Sequence, residues 1–357
     1  MKIVIPVLSV GPSGGYRVIS ELASAWVRKG HSVFILARWS GEKPYFPTLA
    51  EFIWIDDGGA RIDPSSAANV PHRSGFNQVY HNLLALWHGL RREGRNADVL
   101  MANHSLTTYP VYFSRCTGKK YYYIQAYEPE TIKRHLLKWI MHISYYLPLK
   151  QIANSPFYLN YKNVKAADFV PPGINLSIMF PENKKSRNGN NIILGCIGSK
   201  SWFKGIDNIL DAYRLLRERG VPVELRIAYG LIPDGYRLPS DAEVVIPNND
   251  CELGEFYRSV DILIAPGKLQ HGSAHYPVME AMACGIVVIT TGYLPASMEA
   301  NNSWIVRANN HVEIANAVES IIANPALREQ RIQKALVDIQ AYSWDTVATK
   351  MLSLFEK

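Results

Sequence analysis

Short runs of apolar, mostly β-branched or aromatic residues alternate with helical segments along this chain, and the whole alternation occurs twice. Several runs, such as KIVIPVL near the N-terminus and DILIAP in the second half, are apolar at nearly every position. Strands of this kind are expected where helices cover both faces of a parallel sheet. The pattern therefore predicts an α/β fold with two doubly wound, Rossmann-like sheets, one in each half of the chain.

The stretch PENKKSRNGNN, residues 181–191, separates the two series of strands and has no large apolar side chain. We interpret it as a linker. The predicted organisation is a first domain over 1–180, the linker over 181–191, a second domain over 192–342, and a last helix over 343–357 that packs back toward the first domain. Ligands of doubly wound sheets bind at the carboxyl ends of the strands, so two facing sheets predict a cleft.

The composition of the chain narrows its class. Its 357 residues are 48% hydrophobic, and no apolar run approaches the ~20 residues that a membrane span needs. The four cysteines form no CxxC pair, so we expect free thiols in a reducing cytoplasm and no zinc site. The formal net charge of +7 favours an anionic partner, but the basic residues are scattered and match no nucleic-acid module.

The turn GPSGGYR, residues 11–17, joins the first strand to the first helix. Gly14 and Gly15 allow a ligand to approach the helix N-terminus, where free N–H groups and the helix dipole favour phosphate. The turn does not have the GxGxxG spacing, which argues against a nicotinamide dinucleotide. A plain tight turn is the alternative interpretation.

The corresponding turn of the second domain is GSKSWFKG, residues 198–205. Lys204 precedes a helix and can reach back to a phosphate, and Lys200 is a second nearby cation. An ammonium group there would neutralise a departing diphosphate, which is electrostatic catalysis without proton transfer. The alternative is a solvated lysine at a helix start.

The stretch HGSAHYPVMEAMACGIVVITT, residues 271–291, leads a polar loop into a short helix. Pro277 suits a first helical turn because its missing N–H costs nothing there. Backbone N–H groups around Tyr276 and Pro277 are therefore predicted to bind phosphate. Glu280 lies one turn further in, and because its charge would repel a phosphate, we expect it to accept hydrogen bonds from ribose hydroxyls. A glutamate that only favours the helix dipole is the alternative.

Polar residues also follow two predicted strands of the first domain. His104, in MANHSL, is placed to hydrogen-bond a sugar hydroxyl or a group that develops charge. Gln125, Tyr127 and Glu128, in YYYIQAYEPE, end another strand at the same edge, and Glu128 is predicted to orient an acceptor hydroxyl. Structural roles are the alternative for all four residues.

Taken together, these segments resemble the retaining GT-B glycosyltransferases of group 1 (family GT4), over nearly the whole chain. The similar segments are, in family order, SGGYRVISELASAWVRKGHSV, QIANSPF with VPPGIN, GCIGSKSWFKGIDNILDAYRLL, LGEFYRSVDILIAP and YPVMEAMACGIVVITT. The resemblance implies that Lys204 binds the donor diphosphate, that Glu280 binds the ribose and that His104 lies near the transferred sugar. It further implies retention of anomeric configuration, no cofactor and no divalent metal.

Two positions depart from the family pattern. The arginine of the phosphate motif falls on Ser199, so Lys200 would have to supply the missing charge. The first glutamate of the E-x7-E segment, which contacts the donor sugar in the family, falls on Gly272. The surrounding residues resemble divergent bacterial rhamnosyltransferases of surface-polysaccharide assembly, so we expect a deoxysugar donor such as dTDP-rhamnose, contacted by Ser273 and His275.

The segment KRHLLKWIMHISYYLPLK, residues 133–150, is basic and aromatic. Trp139 and Tyr145 are predicted at headgroup depth of an anionic bilayer, with Lys133, Arg134 and Lys138 facing lipid. A half-buried helix with cationic edges is the alternative.

The sequence thus predicts a cytoplasmic glycosyltransferase. If the segment 133–150 contacts lipid, the enzyme is also peripheral on the inner face of the cell membrane. It would move a sugar from a nucleoside-diphosphate donor to a growing glycan, free or lipid-linked. Two alternatives stay open at this stage: a nucleotide-sugar epimerase of the same fold, and a non-catalytic protein that binds nucleotide sugars or glycans.

Overall fold

The computed structural model of the chain describes residues 1–65, 75–130, 132, 134–182, 191–269 and 272–356. Contacts between residues divide the chain into two units. Unit 1 comprises Met1–Gly173 and Trp344–Lys357, and unit 2 comprises Ile174–Ser343. The division therefore falls a few residues before the predicted end of the first domain at 180. Most of the predicted linker over 181–191 lies outside the described residues.

The apolar runs of the first half form the six strands of unit 1. These strands are β1 (Lys2–Val7), β2 (Ser32–Arg38), β3 (Glu51–Ile55), β4 (Val99–Ala102), β5 (Lys119–Ile124) and β6 (Lys150–Ala153). They pair in parallel in the order β3-β2-β1-β4-β5-β6. The helices between them are α1 (Gly14–Arg28), α2 (Gly75–Glu93), α3 (Thr108–Tyr112) and α4 (His135–Ser144).

Helices cover both faces of this sheet, which is why its strands are apolar at consecutive positions. Ile3 and Ile5 of β1 belong to one buried cluster together with residues of α1. Val4, between them, belongs to a second cluster with residues of α2. Because successive side chains of a strand point to opposite faces, each face needs its own apolar set.

Unit 2 repeats this architecture. Its strands are β7 (Ile192–Ile197), β8 (Val223–Ala228), β9 (Glu243–Val245), β10 (Ile262–Ala265), β11 (Val287–Thr290) and β12 (Trp304–Ile305). They form a parallel sheet in the order β12-β11-β10-β7-β8-β9. The helices are α5 (Ile206–Glu218), α6 (Asp250–Ser259), α7 (Tyr276–Ala283), α8 (His311–Ala323) and α9 (Pro325–Asp338). The two sheets confirm the predicted pair of doubly wound α/β domains.

The last helix, α10 (Trp344–Glu356), belongs to unit 1. Its buried residues join the cluster that contains α1. The indole Nε1 of Trp26 donates to the backbone oxygen of Ala348 at 3.2 Å, and the rings of Trp26 and Phe355 lie 5.6 Å apart. The chain therefore leaves unit 1, builds unit 2 and returns to unit 1 for its last helix.

Candidate active site

The carboxyl ends of β7 and β10 and the start of α7 enclose a cavity in unit 2. Its volume is about 160 Å³. The lining residues are Ile197, Gly198, Ser199, Lys204, Ile206, Ile264, Ala265, His275 and Pro277. The predicted phosphate turn and the predicted polar loop thus meet at one cavity, at the sheet edge where doubly wound folds bind ligands.

Two glycines bring Lys204 to this cavity. A Cβ on Gly198 would lie 2.7 Å from the backbone N and O of Leu231, so only glycine allows the end of β7 to pass that close. The turn continues as a 3-10 helix over Trp202–Lys204. Gly205 then has a φ of +75°, and a Cβ there would lie 2.3 Å from the oxygen of Pro266. The turn is therefore fixed on both sides of the lysine.

Lys204 and His275 form a hydrogen-bonded pair, although 71 positions separate them in sequence. The lysine Nζ lies 3.1 Å from the imidazole Nε2. An ammonium group only donates, so Nε2 accepts and the ring proton is assigned to Nδ1. Nδ1 is buried and has no hydrogen-bond partner among the described residues.

The two pKa shifts agree with this assignment. Burial, together with the positive charge of Lys204, lowers the pKa of His275 to about 3. Burial also lowers the pKa of Lys204. The imidazole is therefore neutral at physiological pH, and the lysine is a desolvated cation with no carboxylate among the described residues that line the cavity.

The loop before α7 positions His275 through a second segment of unit 2. Gly272 N donates to the oxygen of Gly292 at 2.8 Å, and Leu294 N donates to the oxygen of Ser273 at 3.0 Å. The imidazole lies 4.6 Å from the ring of Tyr293, at 30° between the ring planes. The contact of Tyr293 could not be predicted, because nothing in the sequence GYLP marks an aromatic residue as support for a loop 18 residues away.

Glu280 lies inside unit 2. It is 4% exposed, and its Oε2 accepts a hydrogen bond from the hydroxyl of Tyr257 at 2.8 Å. Burial raises the pKa of Tyr257 well above its usual value, and the carboxylate adds to the rise. Glu280 does not line the described cavity, whereas Pro277, one turn earlier on α7, does. Its ribose role stays a prediction.

The other predicted donor-site residues differ in their surroundings. Ser199 lines the cavity, and its Oγ accepts from the backbone N of Ser201 at 3.1 Å. Lys200 is exposed and is not among the lining residues. Gly272 has a φ of +82°, with open space where a side chain would be. A glutamate at this position would therefore be strained by its backbone and not by a clash.

In unit 1, Gly14 opens α1 and Gly15 follows it. The helix is capped by Ser13, whose Oγ accepts from the N–H of Tyr16 at 3.2 Å. A Cβ on Gly15 would lie 3.5 Å from Oε1 of Gln125. This amide oxygen is buried and has no partner in the part of the chain that the structure describes. Gly15 and Gln125 are therefore neighbours in unit 1.

His104 caps a 3-10 helix over Ser105–Thr107 after β4. Its Nδ1 accepts from the N–H of Leu106 at 3.1 Å, so the ring proton of the neutral form is assigned to Nε2. Burial lowers the pKa of His104, and the charge of Glu128 opposes this effect. The residue is therefore a neutral imidazole whose remaining N–H is a donor.

Glu128 and Tyr127 are engaged within unit 1. Glu128 Oε1 accepts from the N–H of Ser105 at 3.2 Å, and Oε2 accepts from the hydroxyls of Tyr122 and Tyr145 at 3.1 and 2.6 Å. The hydroxyl of Tyr127 donates to Asn163 Oδ1 at 3.0 Å. These bonds connect the segment after β5 to neighbouring parts of unit 1. The acceptor roles of both residues remain predictions.

The helix α4 carries part of the predicted membrane segment over 133–150. Trp139 and Leu136 are 63% and 67% exposed. The prediction for Tyr145 is wrong: its side chain is fully buried and its hydroxyl bonds to Glu128, whereas the neighbouring Tyr146 is exposed. Lys133 lies outside the described residues.

The described residues contain neither a membrane-spanning helix nor a cluster of metal-binding side chains. No helix among them is both long enough and apolar enough to cross a bilayer. Within the same ranges, no three His, Cys, Asp or Glu side chains gather so that they could hold a metal ion.

Comparisons with known proteins agree with this architecture. The profile of the family described as glycosyl transferases group 1 matches residues 180–337. The D-inositol 3-phosphate glycosyltransferase of Arthrobacter sp. (strain FB24) is 25% identical over 209 residues, 53% of this chain and 49% of that protein. The O-antigen chain mannosyltransferase B of Escherichia coli is 23% identical over 178 residues, 45% of this chain and 44% of that protein. The chain spans about half the length of the curated relatives it matches.

A solved structure extends the similarity to the whole chain. HepE of Anabaena in complex with UDP-glucose covers 100% of this chain and 99% of its own, with a TM-score of 0.70 and 14% identity. At this identity the likeness shows the fold, which is the two-domain GT-B fold of glycosyltransferases. The matched profile adds that residues 180–337 are similar to the group 1 glycosyl transferases.

Proposed function

We propose that this protein transfers a sugar from a nucleoside-diphosphate sugar to a hydroxyl of a glycan. The observation that carries the proposal is the Lys204–His275 pair at the wall of the unit 2 cavity, beside the first turn of α7. A desolvated ammonium and a helix N-terminus both favour a phosphate group. HepE was solved with UDP-glucose, which supports a nucleoside diphosphate as the anion.

The chemistry proposed for the donor side is electrostatic. Lys204 exchanges His275 for the diphosphate and stabilises the charge that grows on it as the glycosidic bond breaks. The backbone N–H group of Tyr276, next to Pro277 in the first turn of α7, adds to this stabilisation, and Glu280 binds the ribose. In the retaining mechanism that we infer from the family, the departing diphosphate takes the proton of the acceptor hydroxyl. No divalent metal takes part in this scheme.

Unit 1 supplies the remaining polar contacts of the proposal. His104 offers Nε2–H to a hydroxyl of the transferred sugar. Gln125 offers a buried oxygen that lacks a partner among the described side chains, next to Gly15 at the start of α1. Gly272 replaces the glutamate that contacts the donor sugar in the family. We therefore include a deoxysugar donor such as dTDP-rhamnose among the candidate donors, and we propose Ser273 and His275 as its contacts.

The acceptor in this proposal is a surface glycan on a lipid carrier. One relative is an O-antigen chain mannosyltransferase, and the exposed Trp139 and Leu136 of α4 lie beside Lys138. We therefore place the protein at the cytoplasmic face of a membrane with anionic lipids.

The test begins with nucleotide binding. Thermal unfolding with UDP, GDP and dTDP should show one nucleotide that stabilises the protein by ~2.7 kcal/mol at about 100 times its Kd. The donor carrying that base is then incubated with and without glycan acceptors, with and without EDTA. A transferred sugar with retained configuration supports the proposal. An isomerised donor formed without acceptor indicates an epimerase, and no turnover across the panel indicates a binding protein.

A further inference from the structure

An apolar pocket of about 350 Å³ lies on unit 1 between α2 and α3, and the predicted activity does not use it. It is lined by Tyr80, Leu83, Leu84, Trp87, Tyr109, Pro110 and Phe113. Tyr80 and Phe113 are about half exposed at its edge. Exposed apolar surface of this kind is typical of sites that bind a protein, a membrane or an apolar ligand.

Two polar groups of the lining side chains, those of Trp87 and Tyr109, are already bonded within unit 1. The indole Nε1 of Trp87 donates to the backbone oxygen of Phe113 at 3.1 Å. The hydroxyl of Tyr109 donates to the backbone oxygen of Ile140 at 2.6 Å. A water molecule needs two or more polar partners to be stable in a cavity. The pocket therefore suits hydrocarbon better than water or a sugar.

The charges around the pocket indicate which lipid head group would fit beside it. Arg91 lies over the ring of Trp87, 5.0 Å from its centroid, and Arg92 follows it in the last turn of α2. The sequences of α3 and α4 contain no acidic residue, and α2 contains a single one, Glu93. An apolar pocket with a cationic rim complements a lipid whose head group is anionic.

The pocket is also continuous with the membrane surface proposed above. The bond from Tyr109 to Ile140 joins α3 to α4, and α4 carries the exposed Leu136 and Trp139. Tryptophan and tyrosine are the side chains that lie at headgroup depth, with their rings toward the hydrocarbon.

We infer that this pocket binds one acyl chain of an anionic phospholipid while the protein is at the bilayer. The inference rests on the proposed membrane contact of α4 and adds a defined binding site to it. The head-group phosphate would lie near Arg91 and Arg92, and the chain would contact Trp87 and Phe113.

Vesicles test this inference. The protein is mixed with phosphatidylcholine vesicles that contain about 30% anionic phosphatidylglycerol. The lipids carry brominated acyl chains, which quench nearby tryptophan fluorescence. Quenching in the wild type should exceed that in Trp87→Phe, although seven other tryptophans remain in the variant. Phe113→Asp should lower vesicle affinity by roughly tenfold, because a carboxylate then faces hydrocarbon. Tyr45→Asp, at an equally exposed aromatic residue in the loop after β2, should bind as the wild type does.

Each other outcome overturns the inference in a recognisable way. If vesicles bind but Trp87→Phe is quenched as strongly as the wild type, the pocket is empty and the membrane contact of α4 stands. If vesicles do not bind at all, the membrane part of the proposed function fails as well. If Phe113→Asp abolishes a dimer seen by light scattering without lipid, the pocket is an interface between copies. Donor binding, measured by thermal shift, reports separately on the transferase site.

Discussion

Replacing Lys204 with alanine tests the central element of the proposed donor site. A charge-assisted hydrogen bond to phosphate contributes about 1.5–3 kcal/mol. Binding must first break the 3.1 Å contact with the neutral His275, which costs about 0.5–1.5 kcal/mol. At 1.4 kcal/mol per tenfold, the Kd of the matching nucleoside diphosphate should rise roughly 10-fold. The transfer rate should fall further, by about 10²–10³, because charge on the diphosphate grows as the bond breaks.

The assay is calorimetric titration with the nucleoside diphosphate and with the corresponding nucleoside. The loss should be confined to the diphosphate, since Lys204 contacts phosphate in the proposal and not the base. Arg237→Ala, which removes an exposed positive charge of the same unit, is the matched control for long-range electrostatics. A diphosphate Kd within twofold of the wild type, or an equal loss for the nucleoside, would refute the role of Lys204.

Three further predictions follow from the same unit. The pKa of His275 is about 3 in the folded protein and ~6.5 in an unfolded chain. The neutral imidazole therefore contributes its full stability above pH ~6.5, and this contribution is lost as the pH falls toward 3. At pH 4.5 the loss in the free energy of unfolding should be about 2–3 kcal/mol. Urea unfolding from pH 7 to 4.5 should show this slope, and an equal slope in His275→Phe would contradict it. Tyr257→Phe removes a donor to the buried Glu280 and should cost about 1–3 kcal/mol, seen as a lower Tm; an unchanged Tm would mean that the bond contributes nothing. Gly205→Ala meets a left-handed φ and the oxygen of Pro266 at 2.3 Å, so it should destabilise by more than ~1 kcal/mol and weaken donor binding. Gly220→Ala, with a similar φ and open space around it, separates the clash from the backbone strain.

The strands could be predicted from the sequence because each apolar run is a local signal. The runs KIVIPVL and DILIAP form β1 and β10, and the bounds of both strands lie within one residue of the ends of the runs. The continuous apolar pattern also indicated that helices cover both sheet faces, and the clusters on either side of β1 confirm this.

The partners of the polar residues could not be predicted in the same way. The bond between Lys204 and His275 depends on where two distant loops converge. Glu128 follows a strand end, as catalytic carboxylates do, yet Tyr122 and Tyr145 enclose it. Tyr145 is of a residue type that is common at membrane interfaces, and it lies in a basic, aromatic segment. Its side chain is nevertheless buried, and its hydroxyl donates to the carboxylate of Glu128. Periodicity fixes which face of an element is apolar, whereas burial of a polar group is decided by whichever partner lies opposite.

The neutral partner of Lys204 bears on how the site would bind an anion. Many buried lysines are paired with a carboxylate, and a ligand phosphate must then compete with an anion of the protein. The residues that line this cavity include no Asp or Glu, and the imidazole that accepts from Lys204 carries no charge. The hydrogen bond to His275 therefore holds the lysine in place and can be exchanged for a bond to phosphate at little cost. The desolvated charge of the lysine stays uncompensated until a phosphate binds. Binding would restore the pKa of Lys204 toward its ordinary value, so the affinity for a nucleoside diphosphate should fall where the free lysine begins to lose its proton at high pH, and an affinity that stays constant through that titration would show that the ammonium does not hold the ligand.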